Sequence, residues 1–203
     1  MTAMARIETE RLLLREPLPG DAEVWSQYIT DPDFRRYVPV RRSTETPVER
    51  ATRGLGTIAA VWSQPAPTSV EWVVARQSDN QIIGMGGIDG GEAPGEGELD
   101  YKFGKPFWGQ GYGRETAHAM SRFVIEQRMF DRLTAYIVPG NNASIRIALS
   151  LGLRFEGMVD YMQFFADPST IDLANSMTEL YAARSDALTL DDTPYRVLER
   201  APA

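Results

Sequence analysis

The chain has 203 residues, with 21 Lys and Arg against 28 Asp and Glu, giving a net charge of −7. It has no cysteine and one histidine, His118, which excludes disulfides, zinc–thiolate sites, thiol nucleophiles and multi-histidine metal centres. The acidic balance disfavours nucleic acid and anionic membranes as partners and favours cations such as amines.

One domain is expected at this length. No apolar run approaches the roughly 18 residues that a membrane span needs. Met1 to Thr9 is mixed and polar, without an apolar targeting core, so the expected location is the cytoplasm. In chain order, residues 7–15 predict a first strand, closed by Glu16-Pro17. Over residues 19–29, Val24, Trp25, Tyr28 and Ile29 recur at helical spacing. Thr46-Pro47-Val48-Glu49 is a capping box with proline at the first helical position. The helix it opens turns Ala51, Leu55, Ile58, Ala59 and Trp62 to one side, and Gly54 and Gly56 weaken it. Residues 70–76 and 81–88 are β-rich runs about the turn Gln77-Ser78-Asp79-Asn80. A Gly/Glu loop then leads to a strand over 98–103.

A glycine-rich turn follows, and then a long helix. In that helix Gly113, Ala117, Met120 and Val124 form an apolar stripe, and Glu115, His118 and Arg122 a polar one, with His118 expected at the surface. Residues 132–138 predict a strand. Pro139-Gly140-Asn141-Asn142 is a turn with cap residues, opening a helix over 144–151 with Gly152 at its end. Residues 155–165 and 173–182 predict a closing pair of strands. The polar segment 184–203 is expected as a loosely docked tail on a domain spanning 1–183. The order is that of a mixed α/β layer architecture, not a βαβ repeat.

The turn Phe107-Trp108-Gly109-Gln110-Gly111-Tyr112-Gly113-Arg114-Glu115 is the most informative stretch. Three glycines on alternate positions between a strand and a helix form a cradle for an anion. Glycine lets the backbone come close, and the free amides of the first helical turn point at the ligand. A phosphorylated cofactor is implied. The spacing departs from the dinucleotide GxGxxG fingerprint, and no Gly-Lys-Ser/Thr follows as a P-loop needs. A tight strand-to-helix connection without a ligand is the plain alternative.

The segment Trp108–Glu115 lies about 30 residues before Pro139-Gly140-Asn141-Asn142-Ala143-Ser144, and Leu151-Gly152-Leu153-Arg154-Phe155-Glu156-Gly157 follows. With Ile7-Glu8-Thr9-Glu10-Arg11-Leu12-Leu13-Leu14-Arg15 at the start and Ile83-Gly84 in the middle, this combination resembles the GNAT N-acetyltransferase superfamily. It is most similar to the ribosomal-protein N-terminal acetyltransferases and their relatives. The likeness runs to Arg184. It implies a central, mostly antiparallel twisted sheet of about seven strands, with the fourth and fifth splayed, flanked by about four helices. It also implies acetyl-CoA as acetyl donor, no metal, and direct attack of a primary amine on the thioester. The acceptor would be a protein N-terminus or a small-molecule amine, and a homodimer is possible.

The resemblance assigns the cofactor loop to Trp108, Gly109, Gln110, Gly111, Tyr112, Gly113, Arg114 and Glu115, with the amides around Gln110 to Arg114 on the pyrophosphate. It lays the pantetheine arm along a free strand edge near Lys102, Phe103 and Gly104, and against Asn141. Lys105 and Arg114 are cations able to meet phosphates, or simply solvated charges. Glu98 and Asp100 are two apart on one strand and so share a face. A carboxylate there suits either taking the amine proton or holding a cationic substrate. Glu98 matches the glutamate common in that branch. Asp100 stands where the branch often has glycine, and is assigned to the substrate. Many members carry a tyrosine acid on the helix after the fifth strand, and this chain has Ala148 there. Ser144 matches the serine that the branch uses beside the leaving sulfur. Tyr101, Tyr136 and Tyr161 are further donors. Tyr37 and Tyr161 are expected at the substrate, with Trp25, Tyr28, Phe34, Trp62, Phe164 and Phe165 as candidate walls. Arg35-Arg36 and Arg41-Arg42 offer loop charge to an acidic group. An acyl-CoA-binding module without turnover is the alternative reading.

Overall fold

The computed structural model describes residues 4–172 and 176–198. The expected first strand is in fact a hairpin, β1 (Arg6–Glu8) and β2 (Leu12–Arg15), with Ile7 opposite Leu14. Thr9 makes the reversal. Its amide donates to Leu12 O (3.0 Å), and its hydroxyl accepts from the Leu12 amide (3.1 Å). Next come α1 (Asp21–Tyr28), α2 (Pro32–Arg35), β3 (Val40–Arg41) and α3 (Pro47–Trp62). The single turn α2 was not legible from periodicity; Asp31 caps it. The capping box of α3 forms, with the Thr46 amide donating to the Glu49 carboxylate (2.8 Å).

Strands β4 (Val70–Arg76), β5 (Ile82–Gly90) and β6 (Glu96–Phe103) follow as an antiparallel meander. After them come α4 (Tyr112–Glu126), β7 (Arg132–Ile137), α5 (Asn142–Ser150), β8 (Arg154–Asp160), β9 (Ile171–Asp172), β10 (Met177–Arg184) and β11 (Arg196–Leu198). The expected strand over 155–165 stops at Asp160, whose carboxylate accepts from the Met162 amide and caps a 3-10 turn, Tyr161–Phe164. The start of the expected last strand, 173–175, lies outside the described residues.

Among the described residues the main sheet has nine strands, in the order β11-β1-β2-β4-β5-β6-β7-β10-β8, and β3 pairs with β9 separately. It exceeds the expected seven because the first strand is divided and the C-terminal segment adds β11. Every neighbouring pair is antiparallel except β6 and β7, which run parallel. That parallel ladder holds only three rungs, Glu96–Arg132, Gly97–Leu133 and Glu98–Thr134. Beyond Glu98 the two strands part.

Side-chain alternation separates the sheet's two faces. Trp72 points toward α4, meeting Phe123 edge-to-face at 5.4 Å, and Gly86 faces Met120. The alternate residues Glu71, Met85 and Asp100 face α1 and α3 across a cleft. On the α4 side the core is sealed by fully buried Ile7, Leu12, Leu14, Met120 and Phe123.

Residues 185–198 of the segment expected to dock loosely are instead strapped down. Ser185 bonds Asp131 O and Phe130 O, the Thr189 amide donates to Leu151 O, the Arg122 guanidinium lies over the Tyr195 ring, and β11 pairs with β1. This strap overturns the surface placement of His118, which is only 2% exposed. The His118 Nδ1 accepts the Asp191 amide (3.1 Å), and Nε2 lies 3.1 Å from Ser150 Oγ. Burial holds its pKa below the ordinary value, with Asp191 opposing. In sequence the polar stripe of α4 has the pattern of a solvent face, because nothing local announces the segment that covers it.

Candidate active site

The cradle is a left-handed turn on the end of a helix. Gly109 and Gly111 have φ of 73° and 83°, a region in which a side chain is strained, and Gly111 is the N-cap of α4. The first helical amide in use is that of Glu115, donating to Gly111 O at 3.1 Å. The amides of Tyr112, Gly113 and Arg114 precede it and have no intrahelical partner. They sit at the positive end of a helix of 15 residues. Two side chains hold the loop below them. Trp108 Nε1 donates to Phe103 O (2.8 Å), and Gln110 Nε2 to Pro106 O (2.7 Å).

Several side chains expected at the cofactor are otherwise engaged. Lys105 pairs with Asp33 of α2, Arg114 with Asp191 of the strap, and Lys102 lies 3.8 Å from Asp100. Glu115 is buried and turns away from the cradle. Its carboxylate accepts from Thr9 Oγ1 (2.6 Å), the Arg11 amide (2.9 Å) and Arg11 Nε (2.7 Å). Asn141 caps α5, accepting from the Ser144 amide at 3.3 Å.

The free edge of β6 is also offset by one residue from the expectation. The Gly104 amide donates to Ile83 O on β5. Backbone groups alternate along a strand, so those of Lys102 also point to β5. The groups of Leu99, Tyr101 and Phe103 face the gap left by β7, where the Phe103 carbonyl is taken by Trp108. The Leu99 amide is used by the Glu98–Thr134 rung, so the Leu99 carbonyl and Tyr101 offer the unpaired edge, which Lys102 and Gly104 do not.

On the α1–α3 face lies a cleft of about 410 Å³. Trp25, Phe34, Ile58 and Phe165 supply apolar walls, Arg50 and Arg53 line the α3 side, and Glu71, Asp89, Asp100 and Lys102 lie across the floor. Glu71 is opposite Gly87, Gly87 opposite Asp100, and Asp89 opposite Glu98. Gly87 keeps the floor open, since a Cβ there would stand 2.9 Å from Glu71 Cγ. Burial, with the charges of Asp89 and Asp100, pushes Glu71 up to about 7. Burial also pushes Glu98 up to about 7, opposed by a hydrogen bond from Tyr161 and aided by Asp100, Asp89 and Glu92.

Glu98 stands on the last rung before the strands part. The Tyr161 hydroxyl donates to its Oε1 at 2.8 Å, and the Tyr161 ring is wedged among Tyr136, Phe164 and Phe165. Tyr161 thus meets Glu98 as a hydrogen-bond donor. Tyr37 does not join this group; it packs against Trp108, with Arg36 over its ring. Tyr28 packs under Gly104 and Phe107, and Trp62 is buried with its indole on Glu71 O. Of the loop arginines, Arg42 is tied through its amide to Thr170 O. On the other face of β6, burial pushes the Tyr101 phenol up to about 12, and the neighbouring Ser144 hydroxyl opposes it. Sequence reasoning missed Arg50, Arg53, Glu71 and Asp89. The first two were findable, since Arg50, Arg53, Gly54, Thr57 and Ile58 follow helical spacing on one face of α3.

These features fit a pyrophosphate followed by an amide-bearing arm: a glycine turn with free amides, then an unpaired strand edge leading to a carboxylate. Residues 11–154 match the family described as Acetyltransferase (GNAT) domain. The chain belongs to the GNAT acetyltransferase family. A curated relative, an uncharacterized N-acetyltransferase p20 of Bacillus licheniformis, is 28% identical over 162 residues, spanning 78% of this chain and 88% of that protein. Among solved structures, the ribosomal-protein-S5-alanine acetyltransferase of Vibrio fischeri superposes with a TM-score of 0.71 at 18% identity, over 91% of this chain and 98% of that one. Mycobacterium smegmatis RimJ, solved with a CoA-disulfide, gives 0.67 at 19% identity, over 89% and 88%. The last two likenesses concern the fold. Among the described residues no helix of this acetyltransferase is long and apolar enough to cross a membrane, and no group of acidic or histidine residues is arranged to hold a metal.

Proposed function

We propose that this GNAT protein transfers the acetyl group of acetyl-CoA to a primary amine, on a protein N-terminus or a small molecule, by direct attack. The observation that carries the reading is the position of Glu98, at the point where β6 leaves β7 and beside the cleft floor that carries Glu71, Asp89 and Asp100. Acetyl-CoA supplies the electrophilic thioester carbon. The amides from Gly111 to Arg114 are placed to hold its pyrophosphate, and the edge at Leu99 and Tyr101 to pair with its arm as an added strand would.

The cleft floor draws in an ammonium, which must lose a proton before it can attack. Glu98, with a pKa near 7, is poised to accept it. Asp100 and Glu71 hold the acceptor's positive charge. The Tyr101 phenol, which keeps its proton until about pH 12, and the Ser144 hydroxyl lie together on the other face. They are placed to donate hydrogen bonds to the departing sulfur.

The test is thiol release from acetyl-CoA with a panel of N-terminal peptides and small amines. Wild type is expected to turn over at least one amine. Glu98→Gln should lower kcat/KM by about a hundredfold or more while keeping CoA affinity, as removal of a general base does. Tight CoA binding without turnover of any amine would overturn catalysis in favour of a binding module.

A further inference from the structure

The β1–β2 turn reaches across the molecule to the cradle. Arg11 spends its guanidinium on two partners there. Nε and Nη2 bond the buried Glu115 carboxylate at 2.7 and 2.6 Å, and Nη1 donates to Gln110 O at 2.9 Å. The same turn fixes Glu115 a second time through Thr9 Oγ1 and the Arg11 amide. The turn is itself anchored to the sheet by Gln77, whose side chain donates to Thr9 O (2.7 Å) and whose amide donates to Arg11 O (2.9 Å). The Arg11 guanidinium also stacks over the Tyr112 ring at 4.6 Å.

Gln110 sits between the two left-handed glycines of the cradle, so its peptide planes are the ones a flexible loop would leave free to rotate. In a trans peptide the carbonyl and the following amide point opposite ways. A guanidinium that holds the Gln110 carbonyl on the β1–β2 side turns the Gly111 N–H away from that side. Because Glu115 already balances the Arg11 charge, the contribution is one of orientation.

We propose that Arg11 is a positioning residue for the cofactor loop: locked by Glu115, it clamps the Gln110 carbonyl and so presets the Gly111 amide for a pyrophosphate. The proposal rests on the reading of the cradle as a CoA site. The role falls on the diphosphate end alone, since Arg11 has no contact with the strand edge or with Glu98.

The experiment compares wild type, Arg11→Met and Arg11→Lys, first by calorimetric titration of CoA and then by turnover with acetyl-CoA and with S-acetyl-pantetheine, which lacks the diphosphate. The expected result for Arg11→Met is about tenfold weaker CoA binding, the size of one charged hydrogen bond. KM for acetyl-CoA should rise with kcat kept, and kcat/KM for S-acetyl-pantetheine should not change. Arg11→Lys, whose single ammonium cannot bridge both acceptors, is expected to show the same donor-selective loss to a smaller degree. It carries the test if Arg11→Met does not fold. Wild-type CoA affinity in the variants overturns the latch, as does an equal loss with both donors, which marks a general structural role. A wild-type chain that binds no CoA removes the cofactor reading and the latch with it.

Discussion

Glu98 gains its chemistry from its neighbours. An isolated glutamate at neutral pH is almost wholly ionised and a poor store for a proton taken from an amine. Here desolvation and the carboxylates of Asp100 and Asp89 move it to about 7, and the Tyr161 hydroxyl, bonded to the charged form, limits the rise. The sign of the pH dependence follows. In the proposed role Glu98 must be deprotonated to act, so kcat/KM should climb with pH at about tenfold per unit below 7 and level off above it. Tyr161→Phe removes a donor that favours the ionised carboxylate, so the rising limb should move to higher pH. Its plateau should survive better than its value at pH 6. A pH profile of kcat/KM for both proteins checks this. An unmoved limb in Tyr161→Phe would mean that the titrating group is another one, with Glu71, also near 7, the first to examine.

Among the elements, the junction of β6, its glycine turn and α4 decides whether the site exists. Gly111 is an N-cap at φ 83°, and a Cβ there would stand 3.3 Å from the Arg11 guanidinium. Gly111→Ala should therefore strain the turn by about 1–2 kcal/mol and push on Arg11 as well. CoA binding measured by calorimetry should weaken by about tenfold, with Tm lowered only slightly. The cradle was legible in the sequence because glycine at alternate positions is a local signal with few structural explanations. The general layout was legible for the same reason, through the capping box at Thr46 and the hairpin about 77–80. Misreadings came where the answer depended on partners distant in sequence. Which residues of β6 face the gap is a matter of register, settled by the Gly104 amide choosing β5. Glu115 was placed on the cofactor because the turn that claims it lies more than a hundred residues earlier, at Thr9 and Arg11. Lys105 and Arg114 likewise meet Asp33 and Asp191 across 72 and 77 residues.

At the scale of the whole molecule, the strap of residues 185–198 links the sheet edge at β1 to α4. β11 closes the sheet edge at β1, and Asp191 ties Arg114 and His118 of α4 to the strap. The His118 ring is neutral in this arrangement, since Nδ1 accepts an amide and leaves Nε2 to donate toward Ser150 Oγ, which itself donates to Ile147 O. Protonation would place an N–H against the Asp191 amide in a buried setting near Arg114 and Arg122. The nearby Asp191 carboxylate, 3.4 Å away, compensates only in part, and the pKa is depressed. With the folded value below the unfolded one, the stability that His118 provides is fully present above about pH 6.5 and is lost as pH falls from there toward the folded pKa. The cleft carboxylates work in the opposite sense. Glu71 and Glu98 bind protons more readily when folded, so acidification from pH 7.5 to 5.5 relieves them. A wild-type melting curve alone mixes these two effects. The difference in Tm between wild type and His118→Gln isolates the first. Gln can still reach Ser150 but does not titrate, so the wild-type advantage is expected at pH 7.5 and should shrink at pH 5.5. Limited proteolysis within 185–195 should speed up over the same interval in wild type alone. A Tm difference that is constant with pH would show that the strap is held without regard to the charge of His118, and would place its stability in β11 and the Arg122–Tyr195 contact instead.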